Sequence, residues 1–259
     1  MRLDVFLTEN GYAESRQRAK IIITSGNVLV CGKPVTKPSF DVCESDDIKV
    51  MGDPIGYVSR GALKLKAAFE TFGLSAKGLV CIDVGASTGG FTDFLIKNGA
   101  KKVYAVDSGT DQLAPSLRCN ERVVSMEKYN ARNLSVGDFE ERPALAVMDV
   151  SFISQTLIIP SLSSVMKDDS MLVSLIKPQF EAGREAIGKG GIVKNPASRA
   201  FSLKRVVECA KENGLSLLGL IVSPILGGDG NTEYLAEFAK GNCGTPLEEN
   251  IDLLISRCL

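Results

Sequence analysis

From Leu79 onward the chain repeats one pattern, a short apolar run that closes on a charge or a glycine, followed by a longer amphipathic stretch. "LVCIDVG", "KKVYAVDSG", "PALAVMDVS", "SMLVSLIKP" and "LSLLGLIVSP" read as strands, while "GFTDFLIKNGA" and "ASRAFSLKRVVECAKENG" read as helices. Strands that alternate with helices in this way predict an α/β fold with a mostly parallel, doubly wound, Rossmann-like sheet. Ligands of such sheets sit beyond the carboxyl ends of the strands. The residues that end the strands, Asp83, Asp107, Asp149 and Lys177, are therefore the first candidates for chemistry.

Composition narrows that chemistry. The 259 residues include no histidine, which removes Ser-His-Asp, Cys-His and histidine-metal sites and leaves Lys, Asp, Glu, Tyr or Cys as the general base. The seven cysteines form no CxxC pair, so no metal site is expected and the thiols read as reduced. No apolar run approaches the roughly 18 residues of a membrane span, and "MRLDVFLTENGY" carries acids where a signal peptide has its apolar core. A cytoplasmic protein without a membrane partner is expected. The net charge of −1 gives no global signal for nucleic acid, so local patches must carry that argument.

Residues 1–50 have a different rhythm. "RLDVFLTENG" places Leu3, Phe6 and Leu7 on one helical face, and "SRQRAKIIITSG" opens at an N-cap hydroxyl, Ser15, and stops at Gly26. "NVLVCGKPV" alternates around a Cys31-Gly32 turn, and "DDIKV" closes the segment as a strand. Arg16, Arg18 and Lys20 make a broad basic end on the second helix, which by itself also describes a solvated helix face. "RLDVFL", "SRQRAKIIITSGNVLVCGKPV" and "KPSFDV", in that order, resemble the S4 RNA-binding domain, a small α+β fold. That resemblance implies RNA binding, with Arg16, Arg18, Lys20, Lys33 and Arg60 placed on phosphates. Residues 51–58, "MGDPIGYV", read as a linker, 59–245 as the α/β domain, and 246–259 as a helical tail.

The loop "DVGASTGGF" lies between the first strand and first helix of the α/β part. A dinucleotide fingerprint needs glycine where Ser87 stands, and a P-loop needs lysine where Phe91 follows Gly90. Both phosphate-binding readings lose their key residue. What remains is Asp83 ahead of Gly85, Ala86, Ser87, Thr88, Gly89, Gly90 and Phe91, with Asp107 at the end of the next strand, where a carboxylate can take both hydroxyls of a ribose. Acids at two adjacent strand ends without a phosphate loop are the pattern of S-adenosylmethionine enzymes. Alone, "GASTGG" equally describes a tight turn with a capping acid. Asn130 in "EKYNARNL" is the candidate for the adenine edge.

Lys64 in "SRGALKL", Asp149 in "MDVSF", Lys177 in "LIKPQFE" and Glu233 in "GNTEYL" form an ordered Lys-Asp-Lys-Glu set. The set resembles the ribose 2′-O-methyltransferases of the FtsJ type. Joined to an S4 domain, and with "YVSRGALKL", "DVGASTGGFTD", "DVSFIS", "LIKPQFE", "GGIVKNP" and "GNTEYL", it resembles the TlyA family, also labelled haemolysin A. Leu63 departs from relatives that often carry histidine there. The resemblance implies methylation of a ribose 2′-hydroxyl, of cytidine, in ribosomal RNA within ribosomal subunits. It makes Lys177 the base, Lys64 its neighbouring cation, and Asp149 and Glu233 the groups that orient them. A lysine serves as base when burial or a neighbouring cation favours its neutral form. Two other classes stay open: a non-catalytic RNA-binding protein of the same fold, and a membrane-lytic protein. The segment "EAGREAIGKGGIVKN" reads as a mobile loop, with Arg184, Lys189 and Lys194 either on RNA phosphate or simply in solvent.

Overall fold

Leu3 and Leu7 fall one turn apart, and the segment around them forms α1 (Leu3–Glu9). In this computed structural model, residues 1–13, 15–43, 45–51, 56–227, 230–241 and 251–259 are described, and they divide into two units, Met1–Tyr57 and Val58–Leu259. Residues 52–55 of the expected linker, 228–229 of the turn before Glu233, and 246–250 of the tail lie outside the described residues.

In the first unit α2 (Arg16–Thr24) follows α1 and is capped by Ser15, whose hydroxyl accepts the Arg18 N–H at 3.2 Å. β1 (Val28–Val30) and β2 (Lys33–Pro34) pair across Cys31 and Gly32, both at positive φ, the backbone of a two-residue hairpin turn. β3 (Ile48–Val50) joins the other side of β1. Leu3, Leu7, Ile22, Ile23 and Val28 fill the core between helices and sheet, each contributing about 1.5–3 kcal/mol of burial. Among them sits a buried carboxylate, Asp4, which accepts from Arg2 Nε at 2.9 Å and Arg16 Nη2 at 3.2 Å. The Arg2 hydrogen bond is the main reason its carboxyl is pulled down to about 2.

The second unit runs α3 (Gly61–Phe72), β4 (Val80–Val84), α4 (Gly90–Lys97), β5 (Lys102–Val106), α5 (Pro115–Arg118), β6 (Val123–Met126), β7 (Leu145–Met148), α6 (Ile159–Val165), β8 (Ser170–Ile176), α7 (Pro178–Glu181), α8 (Pro196–Glu212), β9 (Leu215–Val222), β10 (Tyr234–Lys240) and α9 (Ile251–Cys258). Its seven strands lie in the order β6-β5-β4-β7-β8-β10-β9. β4, β5, β6, β7 and β8 pair in parallel, and β10 runs antiparallel to both β8 and β9. The expected mostly parallel, doubly wound sheet is the observed one. β4 is buried along its whole length, as a strand covered on both faces must be. Ile82, Val84, Met148, Leu172, Val206 and Phe238 belong to one core, which Ile255 of α9 also joins.

β6, "VVSM", escaped the sequence pattern because it is a four-residue edge strand that buries neither face fully. Glu233 immediately precedes β10. The segment expected as a loop is irregular, with short 3₁₀ turns at Arg184–Ala186 and Lys189–Gly191. Buried Asn231 ties it down, accepting the Val193 N–H at 3.0 Å and donating to the Gly191 carbonyl at 2.9 Å. Among the described residues no helix is long and apolar enough to cross a membrane.

Because the folded-state pKa of Asp4 lies below its unfolded value, its stabilisation is complete above about pH 4 and is lost as pH falls toward 2. Asp4→Asn should lower the melting temperature at neutral pH and flatten its decline between about pH 4 and 2. Thermal unfolding across that range, followed by circular dichroism, checks it.

Candidate active site

The ladder registers decide which residues meet. Val84 pairs with Val106 of β5 and with Met148 of β7, so the next residues, Gly85, Asp107 and Asp149, emerge at one level from three adjacent strands. Backbone bonds hold that level: Gly85 N–H reaches Val106 O at 2.8 Å and Asp149 N–H reaches Val84 O at 2.9 Å. On the other side Tyr234 pairs with Ile176 in the antiparallel β8–β10 ladder, which sets Glu233 opposite Lys177.

Two adjoining clefts open there. The larger, about 450 Å³, is lined by Gly85, Ser87, Asp107, Asn130, Asp149 and Phe152 together with the apolar Val106, Ile153 and Ile158. The smaller, about 220 Å³, is lined by Ser59, Gly61, Ala86, Thr88, Gly90, Phe91 and Lys177, and it shares Gly85, Ser87, Asp149 and Ser151 with the first. Gly85 has φ of +85°, and an added Cβ would be driven into the Asp149 carbonyl. Its glycine is thus required by both backbone and neighbour.

Asp107 is held by two backbone donors, Ser87 N–H at 2.8 Å and Gly109 N–H at 2.7 Å, one to each oxygen. The remaining lone pairs stay available on the side of the larger cleft. Asn130 lines the same cleft, and its Oδ1 accepts the Arg132 N–H at 3.1 Å. Asp83 lies fully buried at the end of β4, where Thr92 Oγ1 donates to one oxygen at 2.7 Å and the other has no donor among the described residues. Burial chiefly, then the nearby Asp149 and Asp107, pushes its carboxyl up to about 7 against the pull of the Thr92 bond.

Two lysine-carboxylate pairs stand at this edge, Lys177–Asp149 on the cleft walls and Lys64–Glu233 outside their linings. Lys177 follows β8 directly, and Pro178 at the first position of α7 ends the strand, because proline offers no N–H to continue a ladder. Lys177 Nζ lies 2.6 Å from Asp149 Oδ1 and donates to Ser151 Oγ at 2.8 Å, with the Phe180 ring centroid 6.0 Å away. Lys64, one turn past Gly61 on α3, donates to Glu233 Oε2 at 2.6 Å. Both pairs are largely buried, so deleting one member leaves an uncompensated charge, which costs about 3–5 kcal/mol.

The structure brings Gly85, Ala86, Ser87, Thr88, Gly90, Phe91, Asp107, Asn130, Asp149 and Lys177 to the cleft walls. It does not bring Gly89 there: an added Cβ on Gly89 would strike Leu113 and Leu117, so this glycine serves packing. In the first unit Lys20 and Lys33 are exposed, while Arg16 is partly engaged by Asp4 and Arg18 donates to the Tyr57 carbonyl. Arg60 is exposed at the start of α3. Sequence reasoning missed Ser151 and Phe152. Phe152 is 93% exposed at a φ of +64°, its ring centroid 5.2 Å from that of Phe180 and tilted 54° to it. Its signal in the sequence was its place directly after the apolar run "PALAVMDVS".

A Rossmann-like sheet with acids ending its first two strands, a glycine loop between them and lysine-carboxylate pairs beyond defines a methyltransferase of the S-adenosylmethionine-dependent class. The FtsJ-like methyltransferase model matches residues 57–240 and the S4 domain model matches residues 1–48. The chain belongs to the FtsJ-like methyltransferases and, through its S4 domain, to their TlyA family. It is 45% identical to Hemolysin A of Brachyspira hyodysenteriae, covering 92% of this chain and 99% of that one. It is 43% identical to the 16S/23S rRNA (cytidine-2′-O)-methyltransferase TlyA of Mycobacterium tuberculosis (strain ATCC 25618 / H37Rv), covering 90% and 87%. A solved structure from Streptococcus thermophilus, 43% identical, covers 100% of this chain and 95% of its own with a TM-score of 0.76. Fold and family imply S-adenosylmethionine as methyl donor, and the residues fit it. Asp107 suits a ribose diol, the apolar cleft wall a base, and the unpartnered oxygen of Asp83 a donor at the foot of the glycine loop.

Asp83 takes up a proton in the folded state between about pH 4 and 7, so stability falls as pH rises through that window and the full penalty stands above it. Asp83→Asn keeps an acceptor for Thr92 and should raise the melting temperature at pH 8 while leaving it little changed at pH 4. Calorimetry of the ligand-free protein at the two pH values checks this.

Proposed function

We propose that this protein methylates the ribose 2′-hydroxyl of cytidine in ribosomal RNA, with S-adenosylmethionine as donor and ribosomal subunits in the cytoplasm as substrate. The observation that carries the reading is the double pair Lys177–Asp149 and Lys64–Glu233 at the strand ends that border the clefts. The name of the Mycobacterium relative supports cytidine and ribosomal RNA as the target.

S-adenosylmethionine, when bound, supplies a methyl group already activated on a sulfonium. The residues of this chain must then hold the ribose oxygen in line and remove its proton. Lys177 Nζ, in its neutral amine form, is the group we assign to take that proton; it is aimed by Ser151 Oγ, and the ammonium that results is held by Asp149 Oδ1. Lys64 supports negative charge developing on the oxygen, and Glu233 keeps Lys64 in place. Asp107 takes the ribose hydroxyls of the donor, Asn130 the adenine edge, and Gly85, Ala86, Ser87, Thr88, Gly90 and Phe91 the remaining wall. Phe152, exposed at the cleft, offers a face on which an unstacked base can lie.

In this reading residues 1–50 are the RNA-docking module, 51–58 the linker, 59–245 the catalytic domain and 246–259 a tail that includes α9 (Ile251–Cys258). Arg16, Lys20, Lys33 and Arg60 contact phosphate, with Arg18 held by its backbone partner. One small module offers limited area, so folded ribosomal RNA in subunits is the substrate rather than short oligonucleotides.

Transfer of labelled methyl from S-adenosylmethionine to purified small and large ribosomal subunits tests the proposal. Label should appear at ribose 2′-O positions and fall by about 1000-fold in Lys177→Ala, with cofactor binding retained. Absence of label on both subunits with the wild-type protein would sink it, and lysis of erythrocytes by the pure protein would then favour the membrane-lytic class.

A further inference from the structure

Lys177 and its partner Ser151 sit on two separate segments, the turn 149–155 and the strand-to-helix junction 176–181. A buried polar network joins them, and the chemistry assigned above does not use it. Glu181, 1% exposed, accepts from Ser154 Oγ at 2.6 Å with Oε2 and from the Gln155 N–H at 2.8 Å with Oε1. Gln155 is equally buried, donating Nε2 to the Leu175 carbonyl at 2.6 Å and accepting from Ser174 Oγ at 2.5 Å. Arg205 of α8 donates to the Glu181 carbonyl at 3.0 Å.

A carboxylate so deeply placed is poor value for stability alone, since burial opposes its charge and an apolar residue would pack as well. What the network does achieve is geometric. It ties the turn to β8 and α7, the same two elements that hold Lys177. The turn needs such a tie, because Phe152 stands at positive φ, an uncommon state for an aromatic residue that persists only where its surroundings over-determine it.

We propose that Glu181, with Gln155, is a positioning residue for methyl transfer: it clamps the 151–155 turn onto α7, so that Ser151 stays at Lys177 Nζ and Phe152 stays presented at the cleft. The clamp's catalytic consequence rests on the function proposed above, whereas its mechanical effect does not.

The test therefore has two readouts on the full chain. The sequence contains no tryptophan, so Phe152→Trp installs a single indole on the turn. Its time-resolved fluorescence anisotropy, measured without substrate, should gain a fast local component when Glu181→Ala is added. That component should disappear again with Glu181→Gln, whose amide can accept from Gln155 and donate to Ser154. In chains that retain Phe152, single-turnover methyl transfer to ribosomal subunits, well below the melting temperature, should drop about 100-fold in Glu181→Ala. Glu181→Gln should recover most of that loss, and cofactor affinity should change by less than about threefold. If Glu181→Ala does not fold, Ser154→Ala and Gln155→Ala are read by the same two measurements.

An unchanged anisotropy decay, or a folded clamp variant that transfers methyl at the wild-type rate, overturns the proposal and leaves Glu181 with a stability role only. If the wild-type protein itself transfers no methyl, the functional reading fails, and the anisotropy comparison still decides the clamp.

Discussion

The pairing of β10 with β8 is the constraint on which the site depends. In an all-parallel sheet every strand would deliver its last residue to the ligand edge, and the first residue of each strand would lie at the far edge. Because β10 runs antiparallel, its start comes to the same edge at which β8 ends, and the register sets Glu233 across from Lys177. One reversed strand thus adds a carboxylate to an edge that parallel strands had already supplied with Asp107, Asp149 and Lys177. Lys64 completes the set from α3, and its 2.6 Å contact with Glu233 links a helix ahead of the sheet to the start of β10.

Charge is then managed in two different ways at this edge. The lysines are each matched to a carboxylate within a buried setting, so neither charge stands uncompensated. Asp83 is met by Thr92 rather than by a lysine, and its carboxyl is pushed up instead. The contrast separates carboxylates that face a lysine from one whose second oxygen lacks a donor among the described residues. The first unit repeats the former solution with Asp4, which two arginines hold in its ionised form inside an apolar core.

Much of this was legible in one dimension. Apolar runs ending on Asp83, Asp107, Asp149 and Lys177 identified the edge, and the failed phosphate-loop spacings around Ser87 and Phe91 directed attention to acids rather than to a pyrophosphate cradle. Gly89 was read as part of that cradle; in the fold it also packs against Leu113 and Leu117, and a glycine used for packing looks identical in sequence to one used for ligand approach. Ser151, Phe152 and Glu181 fell inside the stretches "DVSFIS" and "LIKPQFE", but no spacing there assigned them or Gln155 a role. Their roles arise from bonds between segments up to 27 residues apart in sequence, which no local spacing encodes.

By itself the sequence determined the alternation of strands and helices, the positions at which strands stop, and the residue types available for catalysis, because periodicity, proline and glycine act locally and the absence of histidine is absolute. Only the tertiary structure decided which stops share an edge, which lysine meets which carboxylate, and which turn is clamped beside Lys177. Those outcomes follow from ladder register and strand direction, and a shift of one residue in either would send the same side chains to the opposite face of the sheet.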